Sequence, residues 1–105
     1  MARSNERFEE VIKQTAAEFI QTQSGPASLI TVTRVLVDDK RKSVQILFTT
    51  LPDNKQDMAL VFLKRKRSEF IQYLKDNTRM RAIPGINFDI DYGERNRQHI
   101  DSLLQ

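Results

Sequence analysis

One hundred and five residues, 39% hydrophobic and 30% charged, describe a single domain over 1–105 with one core and a charge-rich surface, neither disordered nor membrane-like. The absence of cysteine excludes a disulfide framework, a thiolate nucleophile and a cysteine-based zinc site, and His99 is the only histidine available for triad or metal chemistry. The net charge of +3 is unevenly placed: residues 1–63 are neutral, residues 64–81 carry +5 and residues 82–105 carry −2.

Residues 5–23 predict a helix, with Phe8, Val11, Ile12, Ala16, Phe19, Ile20 and Gln23 on one stripe and Ser24-Gly25-Pro26 as its stop. Residues 29–37 are β-branched or apolar on both faces and predict a strand. The polar stretch Asp38 to Lys42 is a turn. Val44, Ile46 and Phe48 then alternate with polar neighbours, so 43–49 form the second arm of an antiparallel hairpin. Residues 56–77 return to helical spacing, but the stripe of Met58, Val61, Phe62 and Leu63 is broken by six polar residues before Phe70, Ile71 and Leu74 resume it. A straight helix would bury Lys66 and Arg67, so a bend is expected between Lys64 and Glu69. Ile83-Pro84-Gly85 is a turn. Residues 86–92 alternate Ile86, Phe88, Ile90 and Tyr92 with polar partners and predict a third strand; a short final helix from about Glu94 carries Ile100, Leu103 and Leu104. The expected architecture is α+β, a three-stranded sheet with helices on one face.

This order is that of a type II K-homology domain. Five stretches carry a closer likeness: Arg3 and Arg7 ahead of the helical stripe; Leu29 to Val35; Asp38-Asp39 with Val44-Gln45-Ile46; Arg79-Met80-Arg81-Ala82-Ile83-Pro84; and Phe88, Asp91, Ile100, Leu103 and Leu104 at their mutual spacing. Together they resemble the bacterial ribosome-binding factor A family over nearly the whole chain. The resemblance implies a cytoplasmic assembly factor, monomeric off the ribosome, that binds maturing small-subunit ribosomal RNA within the assembling small ribosomal subunit. It implies no enzyme activity and no cofactor. It also implies a helix-kink-helix where other K-homology domains carry Gly-x-x-Gly. The family's usual Ala-x-Gly at the kink is replaced here by Lys66-Arg67-Ser68.

The basic segment supplies the candidate RNA-binding residues Lys64, Lys66, Arg67, Arg79 and Arg81, because clustered cations attract phosphates. Arg65 points about 100° away from its neighbours on a helix. Arg3, Arg7, Ser68 and Tyr73 are further candidate contacts. The plain alternative for the charge run is a solvated helix face, and Phe70 is expected in the core. Asp89 and Asp91 are expected on the wet face of the third strand, with Asp91 ordering the turn that follows. No nucleophile or phosphate loop accompanies them, so no catalytic or metal site is expected. Opening on Met1-Ala2-Arg3-Ser4, the chain is expected to lack a signal peptide, and its longest apolar run, Met58 to Leu63, is too short to cross a membrane. A rival function for the same fold is a protein-interaction module that uses the acidic first helix and the Asp38-Asp39 turn on a basic partner.

Overall fold

Ile12, Ala16, Phe19 and Ile20 recur at three- and four-residue intervals, and the helix over Ala2–Gln21 (α1) delivers all four to the core. Thr15 shares this buried face and satisfies its hydroxyl by donating to the Val11 carbonyl at 2.7 Å. Gly25 then takes a left-handed φ of 74°, which a glycine adopts without steric cost, and a 3-10 turn over Gly25–Leu29 leads into the sheet. The computed structural model describes residues 2–93, with side chains from residue 6. The short helix expected from about Glu94 lies outside the described residues, as do His99, Ile100, Leu103 and Leu104.

The strands Ile30–Val37 (β1) and Ser43–Thr50 (β2) pair antiparallel, with Val35 opposite Ile46 and Val37 opposite Val44. Their turn is fastened by Asp38, whose Oδ1 accepts from the backbone N–H of Lys42 at 2.7 Å and of Ser43 at 3.2 Å. The third strand, Gly85–Ile90 (β3), lies parallel to β2 in the order β1-β2-β3. A parallel neighbour requires a crossover, and the two middle helices provide it. Val44, Ile46 and Phe48 stand opposite Ile86, Phe88 and Ile90, so one sheet face carries the apolar residues that meet the helices. The α+β architecture expected from the sequence is therefore present, with strand ends within two residues of expectation.

Two features of the third strand differ from the alternation pattern. Tyr92 lies beyond the strand and is exposed. Asp91, expected on the wet face, is only 2% exposed. The cause is a bulge in β1: pairing skips from Val32–Phe48 to Arg34–Leu47, leaving Thr33 as the extra residue. The Thr33 hydroxyl donates to Asp91 Oδ2 at 2.6 Å, while the Asp91 N–H donates to the Phe48 carbonyl at 2.8 Å. The two outer strands are thus joined across β2. Thr33→Val is expected to lower stability by about 1–3 kcal/mol, the usual cost of removing a donor from a buried polar group. Urea unfolding measures it, and a loss below about 0.5 kcal/mol would show that the bond does not hold the strand end.

The two middle helices are Gln56–Arg65 (α2) and Arg67–Asn77 (α3), separated by Lys66 alone. Lys66 has φ −90° and ψ 2°, and its N–H is shared between the carbonyls of Phe62 and Leu63 at 3.1 Å each. The expected bend is present, and it allows Leu63 and Phe70 both to be fully buried. On α2 the buried face is Gln56, Ala59 and Leu63, whereas Met58 and Val61, read from sequence as part of the stripe, are exposed. Phe70 sits among aromatic rings, 5.4 Å from Phe19 and 5.6 Å from Phe88 between centroids. No helix among the described residues is long and apolar enough to cross a membrane.

Candidate nucleic-acid interface

The polar run Lys64 to Glu69 cannot be buried without leaving charges unpaired, so folding puts it at the outer corner where α2 meets α3. Lys64, Arg65, Arg67 and Ser68 are exposed there and Lys66 is half-buried. Lys66 Nζ lies 3.4 Å from Glu69 Oε1, an exposed pair of little energetic weight. Arg67 has a second task, since its Nε donates to the Ile86 carbonyl at 2.5 Å and ties the start of α3 to β3. The remaining guanidinium nitrogens keep their donors. The corner thus presents several cations on a short, fixed stretch of backbone, with the first turn of α3 among them.

Arg79 and Arg81 do not join this group. They follow α3, and the eleven residues of that helix put about 16 Å between its two ends. Both are exposed on the connection to β3, whose start is set by Thr78: its hydroxyl donates to the Leu74 carbonyl at 2.6 Å and accepts from the Met80 N–H at 3.3 Å. Arg79 instead meets Arg7 of α1 and Arg41 of the hairpin around an open groove of about 940 Å³. The +5 segment of the sequence is therefore two basic poles at opposite ends of α3. Arg3 stands in the first turn of α1, and its side chain lies outside the described residues.

Arg41 was not legible as a site residue from sequence. It occupies the left-handed region at φ 56°, unusual for a long side chain, and its guanidinium lies over the Phe8 ring at 5.2 Å from the centroid. Tyr73 is half-buried, its ring 5.5 Å from that of Phe19. Asp89 accepts at Oδ1 from the neighbouring Ile90 N–H at 2.8 Å, and Asp91 is engaged by Thr33, so the two carboxylates do not converge on a common point as an acid–base pair.

The described residues form an α+β fold with a one-residue helix junction, exposed cations at that junction and a second basic pole at the far end of α3. The family model described as ribosome-binding factor A matches residues 3–104, and the chain belongs to that family. A curated relative, ribosome-binding factor A of Coprothermobacter proteolyticus, is 26% identical over 88 residues, which is 82% of this chain and 64% of the relative. The chain thus spans less than two thirds of that relative's length. The crystal structure of ribosome-binding factor A from Thermus thermophilus superposes with a TM-score of 0.73 at 25% identity, over 80% of this chain and 91% of that one. A Thermus thermophilus ribosome binding factor A homology model, fitted into a cryo-electron-microscopy map of its complex with the 30S subunit, gives 0.67 at 24% identity, over 77% and 88%.

Proposed function

We propose that this protein is a monomeric, cytoplasmic, K-homology-like assembly factor that binds maturing small-subunit ribosomal RNA and assists late small-subunit maturation without catalysis. The observation that carries this reading is the group of exposed cations fixed at the α2–α3 junction, in a family one of whose Thermus members was fitted into a map of its 30S complex. Such cations hold a folded RNA by its phosphates, and the recognition they give is of shape rather than sequence. Binding energy spent on one stage of a folding RNA stabilises that stage by mass action, which needs no active site.

Sedimentation of cell extract through a sucrose gradient tests the reading. The protein is expected to travel with immature small subunits, and to be released as salt is raised from about 50 to 200 mM, because phosphate contacts are salt-sensitive. Recovery only in the unbound fraction would overturn it. Retention that ignores salt would instead favour a protein-directed module.

A further inference from the structure

The groove between α1, the hairpin and the end of α3 has a chemistry different from that of the α2–α3 junction. Its floor is apolar: Phe8 and Met80 are half-buried, and Val11 is 38% exposed although the sequence places it on the stripe that enters the core. Its rim is mixed. Three arginines, Arg7, Arg41 and Arg79, share it with Glu6 and Glu10 of α1. A site for phosphate alone would not place two carboxylates among its cations, because each opposes the field that attracts the anion. An apolar floor with both donors and acceptors at its edge suits a planar heterocycle that carries both kinds of group. Arginine donates to base oxygens and ring nitrogens, and glutamate accepts from exocyclic amino groups.

From this geometry we infer that the groove takes one unpaired nucleobase of a bound RNA. The inference rests on the RNA-binding function proposed above and adds a second, base-directed contact to it. The Arg41 guanidinium lies over the Phe8 ring at 5.2 Å from its centroid and Arg41 is exposed, so the pair offers an incoming base a flat cationic layer. The hairpin holds that layer in place. The Arg41 N–H donates to the Asp38 carbonyl at 3.0 Å, and Asp38 Oδ1 fastens the two residues that follow. The length of α3 separates this contact from the phosphate-binding corner, so one RNA segment running along the helix reaches both.

The test uses the full chain and RNA hexamers of oligoadenylate and oligouridylate in which one nucleotide at a time is abasic, with binding followed by fluorescence anisotropy. Loss of the base at one position is expected to weaken binding by roughly 5- to 100-fold, the effect of one stacked base. Arg41→Gly keeps the left-handed backbone, which glycine favours, and is expected to abolish this discrimination while the protein still unfolds in one cooperative transition. Met80→Ala is expected to reduce it and serves as the second variant. If the unmodified protein ignores every abasic position yet still binds structured small-subunit RNA, the base site is wrong and the function proposed above stands. Discrimination that survives in both variants also overturns the groove as its source. Failure to bind any of these RNAs overturns both readings together.

Discussion

Phe70→Ala is expected to destabilise the protein by about 3–5 kcal/mol, enough to unfold much of a small domain whose total stability is on the order of 5–15 kcal/mol. Phe70 is fully buried, and its ring lies between Phe19 of α1 and Phe88 of β3. Truncation removes contacts with a helix and a strand at once, and neither can follow the retreating side chain, because each is also held by its own neighbours. Chemical denaturation measures the loss. A cost below about 1.5 kcal/mol would mean that the junction relaxes and that α3 is not locked to the sheet. Exposed positions on the same helix, such as Gln72, should tolerate alanine within about 0.5 kcal/mol.

The largest functional effect is expected from the corner of α2 and α3. If four cations of the protein meet phosphates, log affinity for small-subunit RNA should fall against log salt with a slope of roughly −3 to −4, at about 0.7 to 0.9 counterions released per contact. Replacing Lys64 and Lys66 together by alanine should flatten that slope by roughly 1 to 2 units and leave the melting curve unchanged, because neither side chain is part of the core. Arg67 does not belong in this pair, because its bond to the Ile86 carbonyl makes its loss a change of structure as well as of charge. Arg34 of β1 and Lys55 at the start of α2, exposed cations outside the α2–α3 corner, are the control pair. Equal flattening by both pairs would mean diffuse attraction, and an unchanged slope in the lysine variant would remove the corner from the site.

The bend at Lys66 was legible because burying charge is costly, and the broken stripe left no other way to cover both Leu63 and Phe70. The hairpin was legible for a similar reason, since a five-residue polar link between two β-periodic runs leaves little choice of pairing. What local pattern does not hold is the consequence of distance along the chain. Alternation assigned Asp91 to the wet face because nothing near it announces Thr33, fifty-eight positions earlier, whose hydroxyl the bulge brings to it. The parallel direction of β3 is likewise a property of the crossover, not of residues 85–90. For the candidate site, a run of charge in sequence suggested one patch, whereas a rigid helix carries Arg79 away from Lys66 and toward Arg7 and Arg41. Val11, Met58 and Val61 left the expected stripes because a helix packed on one side buries a narrower face than hydrophobicity alone suggests.

The bond from Arg67 to Ile86 also bears on self-association. Among the described residues β3 pairs with β2 on one side only, so its other side is a sheet edge. Gly85 turns its N–H toward the hairpin, where it donates to the Lys42 carbonyl at 2.9 Å, and the next residue, Ile86, therefore turns its carbonyl outward. A bare edge of this kind is a template on which a second chain can add a strand. Here an arginine already occupies the acceptor, and an approaching backbone would meet a fixed positive charge in its place. The residue that ties α3 to β3 thus also takes up one of the edge acceptors that a second chain would need.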